Sequence, residues 1–140
     1  MSDASLPLTP ALQHQLHDWL QEDLGRGDLS APALPPGRCR AHWISKASGV
    51  FCGGSLLDFL FRVLDPSASV QLLVADGEQV SPGQRLLNLE AEAAALVAAE
   101  RTALNLVMRL SGIASATARL VADLEGSGVQ LADTRKTTPG

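Results

Sequence analysis

The sequence is poor in the features that would assign it a class quickly. It holds two cysteines, Cys39 and Cys52, thirteen positions apart and outside any CxxC pair. That spacing excludes a disulfide framework, makes a zinc site improbable and points to a reducing, cytoplasmic setting. No run reaches the ~18 uncharged apolar residues that a membrane span requires. The opening "MSDASLPLTP" has neither a basic nor an apolar leader segment, so it does not read as an export signal. Cations are outnumbered as well: 11 Lys and Arg against 15 Asp and Glu give a net charge of −4. This argues against nucleic acid or an anionic membrane as partner, and any anionic ligand must be held by a local cluster of cations. No internal repeat and no low-complexity tract is present.

What is there reads as a mixed α+β domain. The 140 residues are 46% hydrophobic, enough for a core without metal or disulfide staples. Thr9 and Pro10 form a helix start, and Leu12, Leu16, Trp19 and Leu20 then share one face up to Gly25. His14 and His17 lie three apart on this helix, but no third ligand of matching spacing follows, so no metal site is assigned. "GRGDLSAPALPPG" is loop, with its RGD a turn. Cys39, Ala41, Trp43 and Ser45 alternate with Arg40, His42, Ile44 and Lys46, which predicts a half-buried strand. "GGSLLDFLFRVLDP" predicts a helix capped by Ser55 and closed by Pro66.

Val70, Leu72 and Val74, the Asp76-Gly77 turn, Val80, the Pro82-Gly83 turn, and Leu87 with Leu89 predict a compact β-meander. The meander resembles the hairpin core of biotinyl and lipoyl carrier domains. No lysine lies between Val70 and Ala99 to carry a cofactor, which leaves a small β scaffold. From Ala91 to Leu110 the chain is Ala- and Leu-rich, with Leu96, Ala99, Ala103, Leu106 and Leu110 spaced for one helical face. Ser111-Gly112 is expected to break or bend that helix before a second one, Ala114 to Leu124. "VQLAD", Val129 to Asp133, reads as a short buried strand.

Two places carry chemistry. Arg101 has no carboxylate at positions 97, 98, 104 or 105, so its helix offers it no ion-pair partner and it is free for one elsewhere. The terminal "DTRKTTPG" gathers Arg135, Lys136 and three threonines before a Pro-Gly turn. Arginine offers a planar fork for a carboxylate or phosphate, lysine a mobile point charge, and threonine hydroxyls can donate to phosphate oxygens. Past the end of a strand in an α/β sheet or barrel, such groups face the crevice where ligands bind.

"ERTALNLVMRLSGIAS" (Glu100 to Ser115) together with "LADTRKTTPG" resembles the signature of the quinolinate phosphoribosyltransferase family, and "WLQEDLGRGDLS" (Trp19 to Ser30) is similar to that family's opening helix and loop. The resemblance implies an α/β-hammerhead-like amino-terminal domain over residues 1–112. Residues 113–140 would then begin an incomplete (β/α) barrel with its first strand. Since only a dozen residues follow Gly128 and a typical barrel runs to about 250 residues, it also implies the amino-terminal part of a longer enzyme, inactive alone. The implied reaction moves phosphoribosyl from phosphoribosyl pyrophosphate to quinolinate with decarboxylation, giving nicotinate mononucleotide in NAD biosynthesis. Magnesium would be carried on the substrate, and the enzyme would be a homodimer or higher homo-oligomer in the cytoplasm. By resemblance, Arg101 reaches a quinolinate carboxylate across a dimer interface. Thr134, Arg135 and Lys136 contact substrate, with Lys136 the catalytic residue. A molybdenum-transport-associated relative of the same fold, and a stand-alone binding module on the hammerhead scaffold, are the alternatives.

Overall fold

The computed structural model describes residues 6–137. Helix α1, Pro10–Leu24, starts where the Thr9 hydroxyl accepts the N–H of Leu12 at 3.3 Å and stops at Gly25, whose φ of 52° no other residue adopts as cheaply. Its Leu16 and Leu20 are fully buried, as their spacing predicts. Strand β1, Arg38–Ile44, follows, then the two-residue β2, Gly49–Val50. A 3-10 turn, Gly54–Leu56, leads into α2, Leu57–Leu64, and β3 is Ser69–Leu72. The two-residue β4, Gln79–Val80, precedes β5, Arg85–Glu92, and α3, Ala93–Asp123. The result is an α+β domain: a three-stranded antiparallel sheet in the order β1-β5-β3, with the three helices sharing one core with its inner face.

β5 is central, and Leu87, Leu89 and Ala91 on its inner face meet Leu57, Leu60 and Phe61 of α2, Ala99 and Ala103 of α3, and the α1 leucines. Each fully buried leucine or phenylalanine is worth roughly 1.5–3 kcal/mol relative to exposure. The outer face carries Arg40, His42, Gln71, Asn88 and Glu90, so the alternation read in the sequence sets the inside and outside of the sheet.

Four expectations are corrected. The strands do not form a meander: β3 pairs with β5, while β4 leaves the sheet to pair with β2 in a separate ladder. Ser55 does not cap α2. Its hydroxyl donates to Asp76 Oδ2 at 3.3 Å, and Asp76 Oδ1 takes the Gly54 N–H at 2.9 Å, so a distant carboxylate satisfies the start of this turn. The long helix does not break at Ser111-Gly112 but runs unbroken for 31 residues, across the boundary expected between 112 and 113. The serine hydroxyls reach the neighbouring strand while the helix continues, Ser115 Oγ also donating back to the Ser111 carbonyl at 2.7 Å. Ser111 Oγ accepts the Cys52 N–H at 3.0 Å and donates to the Cys52 carbonyl, and Ser115 Oγ accepts the Val50 N–H at 2.8 Å. These bonds dock the helix onto the β2 edge and offset the ~1 kcal/mol that Gly112 costs a helix. Finally, Val129 to Asp133 is exposed coil, because no described strand lies beside it to supply a hydrogen-bond ladder.

Asp65, buried just past the end of α2, ties the layers together. It accepts from the Ser67 hydroxyl and N–H at 2.6 and 2.8 Å and from the Glu92 N–H at 2.9 Å, with the Arg38 guanidinium 3.5 Å away. The Ser67 hydroxyl above all and then the Glu92 N–H hold its carboxyl below the usual carboxylate range against the opposing effect of burial, with the Ser67 N–H and Arg38 adding less.

Candidate functional site

Arg101 sits on the side of α3 away from Ala99 and Ala103, which are fully buried. Its partner is Asp23, in the last turn of α1: Arg101 Nη1 donates to Asp23 Oδ1 at 2.9 Å. The two side chains differ sharply in exposure, 75% for Arg101 and 22% for Asp23. Arg101, left without an ion-pair partner by its own helix, is thus paired within the chain, with a residue that the in-helix reading did not name. A signal for it exists in the sequence. An acid in the last turn of a helix opposes the macrodipole, and α1 has no basic residue there to excuse it.

Between α3 and the loop after α1 lies a groove of about 610 Å³ lined by Asp23, Asp28, Leu29, Glu100, Arg101 and Met108 among others. The loop is shaped by Gly27, at φ 128°, and by an Asx turn in which Asp28 Oδ1 accepts the Ser30 N–H at 2.8 Å, so the RGD is a turn as expected. Asp28 Oδ2 is buried and has no hydrogen-bond partner among the described residues. Leu29 is 95% exposed on the rim, and Met108 is exposed as well. One cation and three carboxylates line this groove. Taken alone it does not favour a polyanion, and an anionic ligand at Arg101 needs further cations from outside.

Thr134, Arg135 and Lys136 lie on exposed coil, where the Lys136 N–H donates to Thr134 Oγ1 at 3.3 Å and the Thr137 N–H to the Arg135 carbonyl at 3.0 Å. Among the described residues neither the Arg135 nor the Lys136 side chain has an ion-pair or hydrogen-bond partner. Neither lines the Arg101 groove, so the structure does not bring the two candidate clusters together. Thr138, Pro139 and Gly140, the end of the expected cluster, lie outside the described residues, as does Met1 to Ser5 of the opening segment. Among the described residues no helix is long and apolar enough to cross a membrane, and no three His, Cys, Asp or Glu side chains converge as metal ligands.

Comparison with known proteins gives a consistent result. The family model for the quinolinate phosphoribosyl transferase N-terminal domain matches residues 28–111. A probable nicotinate-nucleotide pyrophosphorylase [carboxylating] of Synechocystis is 40% identical over 126 residues, covering 89% of this chain and 43% of the relative. Its namesake in Bacillus subtilis is 37% identical over 130 residues, covering 92% and 45%. The crystal structure of NadC from Streptococcus pyogenes superposes with a TM-score of 0.87 at 33% identity, over 94% of this chain and 49% of that one. The chain therefore spans less than half the length of the curated relatives it matches.

Proposed function

The chain belongs to the family of quinolinate phosphoribosyltransferase amino-terminal domains, and from that membership we propose that a protein of its relatives' full length containing this chain makes nicotinate mononucleotide. Phosphoribosyl would pass from phosphoribosyl pyrophosphate to the ring nitrogen of quinolinate. Pyrophosphate leaves, carbon dioxide is lost, and a proton takes its place on the ring. Both substrates are polyanions, and the observation that carries the reading is the state of Arg101: an exposed guanidinium held at one N–H in a groove whose other charged residues are three acids. It is one half of an anion site, and a facing surface must supply the rest of the charge.

Arg135 and Lys136 are the natural complement. Both are exposed, both lack partners among the described residues, and they sit away from the groove. In a two-fold homodimer, Arg101 of one subunit would join Thr134, Arg135 and Lys136 of the other around one quinolinate. Arg135 would take a carboxylate through its fork, and Lys136, as the catalytic residue, would stabilise the departing pyrophosphate and the carbanionic charge left by decarboxylation. Magnesium would arrive on the pyrophosphate of the donor. The described residues offer no ligand cluster that fits it, and no step here is assigned to it. Free Cys39 and Cys52 fit a reducing cytoplasm.

Mixing two full-length variants tests the shared site. Arg101→Ala and Arg135→Ala are each expected to be nearly inactive. In a mixed dimer one site regains both arginines and the other has neither. Random exchange makes about half the dimers mixed, so roughly a quarter of wild-type nicotinate mononucleotide formation should return on co-refolding. Activity no higher than the mean of the separate parents rules the shared site out.

A further inference from the structure

The pair between Arg101 and Asp23 has no evident structural employment. An exposed ion pair of this kind adds little to stability, and the Arg101 side chain is three-quarters exposed. Asp23 is the opposite: mostly covered, on a helix whose own backbone dipole disfavours an acid at that end. The arrangement is a fixed carboxylate gripping one edge of an otherwise free guanidinium. Only Nη1 is engaged, at 2.9 Å, so the remaining N–H donors of the planar fork stay available on the groove side. The other acids of the groove do not compete for it. Asp28 is tied by Oδ1 to the Ser30 N–H, and neither Asp28 nor Glu100 forms an ion pair with Arg101 among the described residues.

We propose that Asp23 is a positioning residue: it holds one edge of Arg101 so that the opposite edge is presented, already oriented, to a carboxylate of quinolinate. This rests on the reading of Arg101 as a quinolinate contact. A long side chain anchored at its tip loses less freedom when the ligand arrives, and a preorganised fork meets a carboxylate in bidentate geometry. Asp23 touches no substrate; its effect passes entirely through the guanidinium.

The experiment uses the full-length enzyme and five forms: wild type, Asp23→Asn, Asp23→Glu, Arg101→Ala, and Asp23→Asn combined with Arg101→Ala. Steady-state kinetics and calorimetric titration with quinolinate are read together, so that a weakly active form still reports binding. Asp23→Asn is expected to weaken quinolinate affinity and raise its KM about tenfold, with the KM for phosphoribosyl pyrophosphate changed less than about twofold. Asp23→Glu should recover most of the loss, and Asp23→Asn should add nothing in the Arg101→Ala background. The thermal midpoint should stay within about 2 °C of wild type, as for an exposed pair. If Arg101→Ala weakens quinolinate binding and Asp23→Asn does not, the positioning role is overturned while the Arg101 contact stands. An unchanged quinolinate affinity in Arg101→Ala removes the contact itself, and the positioning role with it. Equal effects on both substrates, or a fall of many degrees in the midpoint without recovery in Asp23→Glu, would make Asp23 a structural residue only.

Discussion

Asp65 shows how much one side chain carries in a domain of this size. Its carboxylate joins the end of α2, the β5–α3 junction and Arg38 of β1, and it is held ionised chiefly by the Ser67 hydroxyl and the Glu92 N–H. Its folded pKa lies below its unfolded one, so its contribution is complete above the unfolded value near about 4 and is lost as pH falls through the lowered folded value. Asp65→Asn should therefore lower the thermal midpoint at pH 7, and the gap to wild type should close as the pH is taken below about 4. A gap that stays constant down to pH 2 would assign the role to shape rather than charge. Residue-scale reading of the sequence reached Arg101 from what its helix lacks, and missed both Asp23 and Asp65. Asp65 joins a local pair with Ser67 to a distant one with Glu92, and the acid that ends α1 signals the need for a cation without naming Arg101, which lies far along the chain.

At the scale of elements, periodicity told faces apart and did not name partners. The inward residues of β1 and β5 and the Ala99–Ala103 stripe of α3 were legible because burial repeats every two or every 3.6 residues. That β5 pairs with β3 and skips β4 was not, since alternation is the same whichever neighbour a strand takes. Ser111 was misread for a related reason: as a helix breaker it is judged by its own backbone, whereas here its hydroxyl serves the backbone of Cys52, as the Ser115 hydroxyl serves Val50 of β2 while bonding back to the Ser111 carbonyl. The fit at this contact is close. A methyl group on Gly49 would fall 2.6 Å from Ser115 Oγ but 3.6 Å from its Cβ. Ser115→Ala should cost about 1–2 kcal/mol by stranding the Val50 N–H, and Gly49→Ala about 1–3 kcal/mol by displacing the hydroxyl. The double variant should be less destabilised than their sum by about 1 kcal/mol, because the colliding oxygen is already gone. Urea unfolding of the four proteins reads this directly; strict additivity would contradict the contact.

For the whole molecule, the distribution of charge sets what residues 1–140 do alone. The Arg101 groove is lined by more acid than base, and the other cations of interest lie outside it on exposed coil. The isolated chain should bind quinolinate no more tightly than about 1 mM by calorimetry and release no pyrophosphate from phosphoribosyl pyrophosphate; tighter binding or measurable turnover would mean that the chain assembles a site by itself. Helix α3 bears on this in a mechanical sense. Its 31 residues make a rod about 46 Å long. The part up to Leu110 packs on the core, and exposed Ile113, Leu120 and Val121 ride on the overhang. Ser115 is the last point at which a described hydrogen bond pins the rod to the sheet side. From there to Asp123 the lever arm is about 12 Å, so a tilt of about 5° at the pin swings the tip by about 1 Å, enough to cost two orders of magnitude in a reaction that depends on alignment. Whatever is coupled to the far end of α3 inherits its aim from two serine hydroxyls and the absence of a methyl group on Gly49.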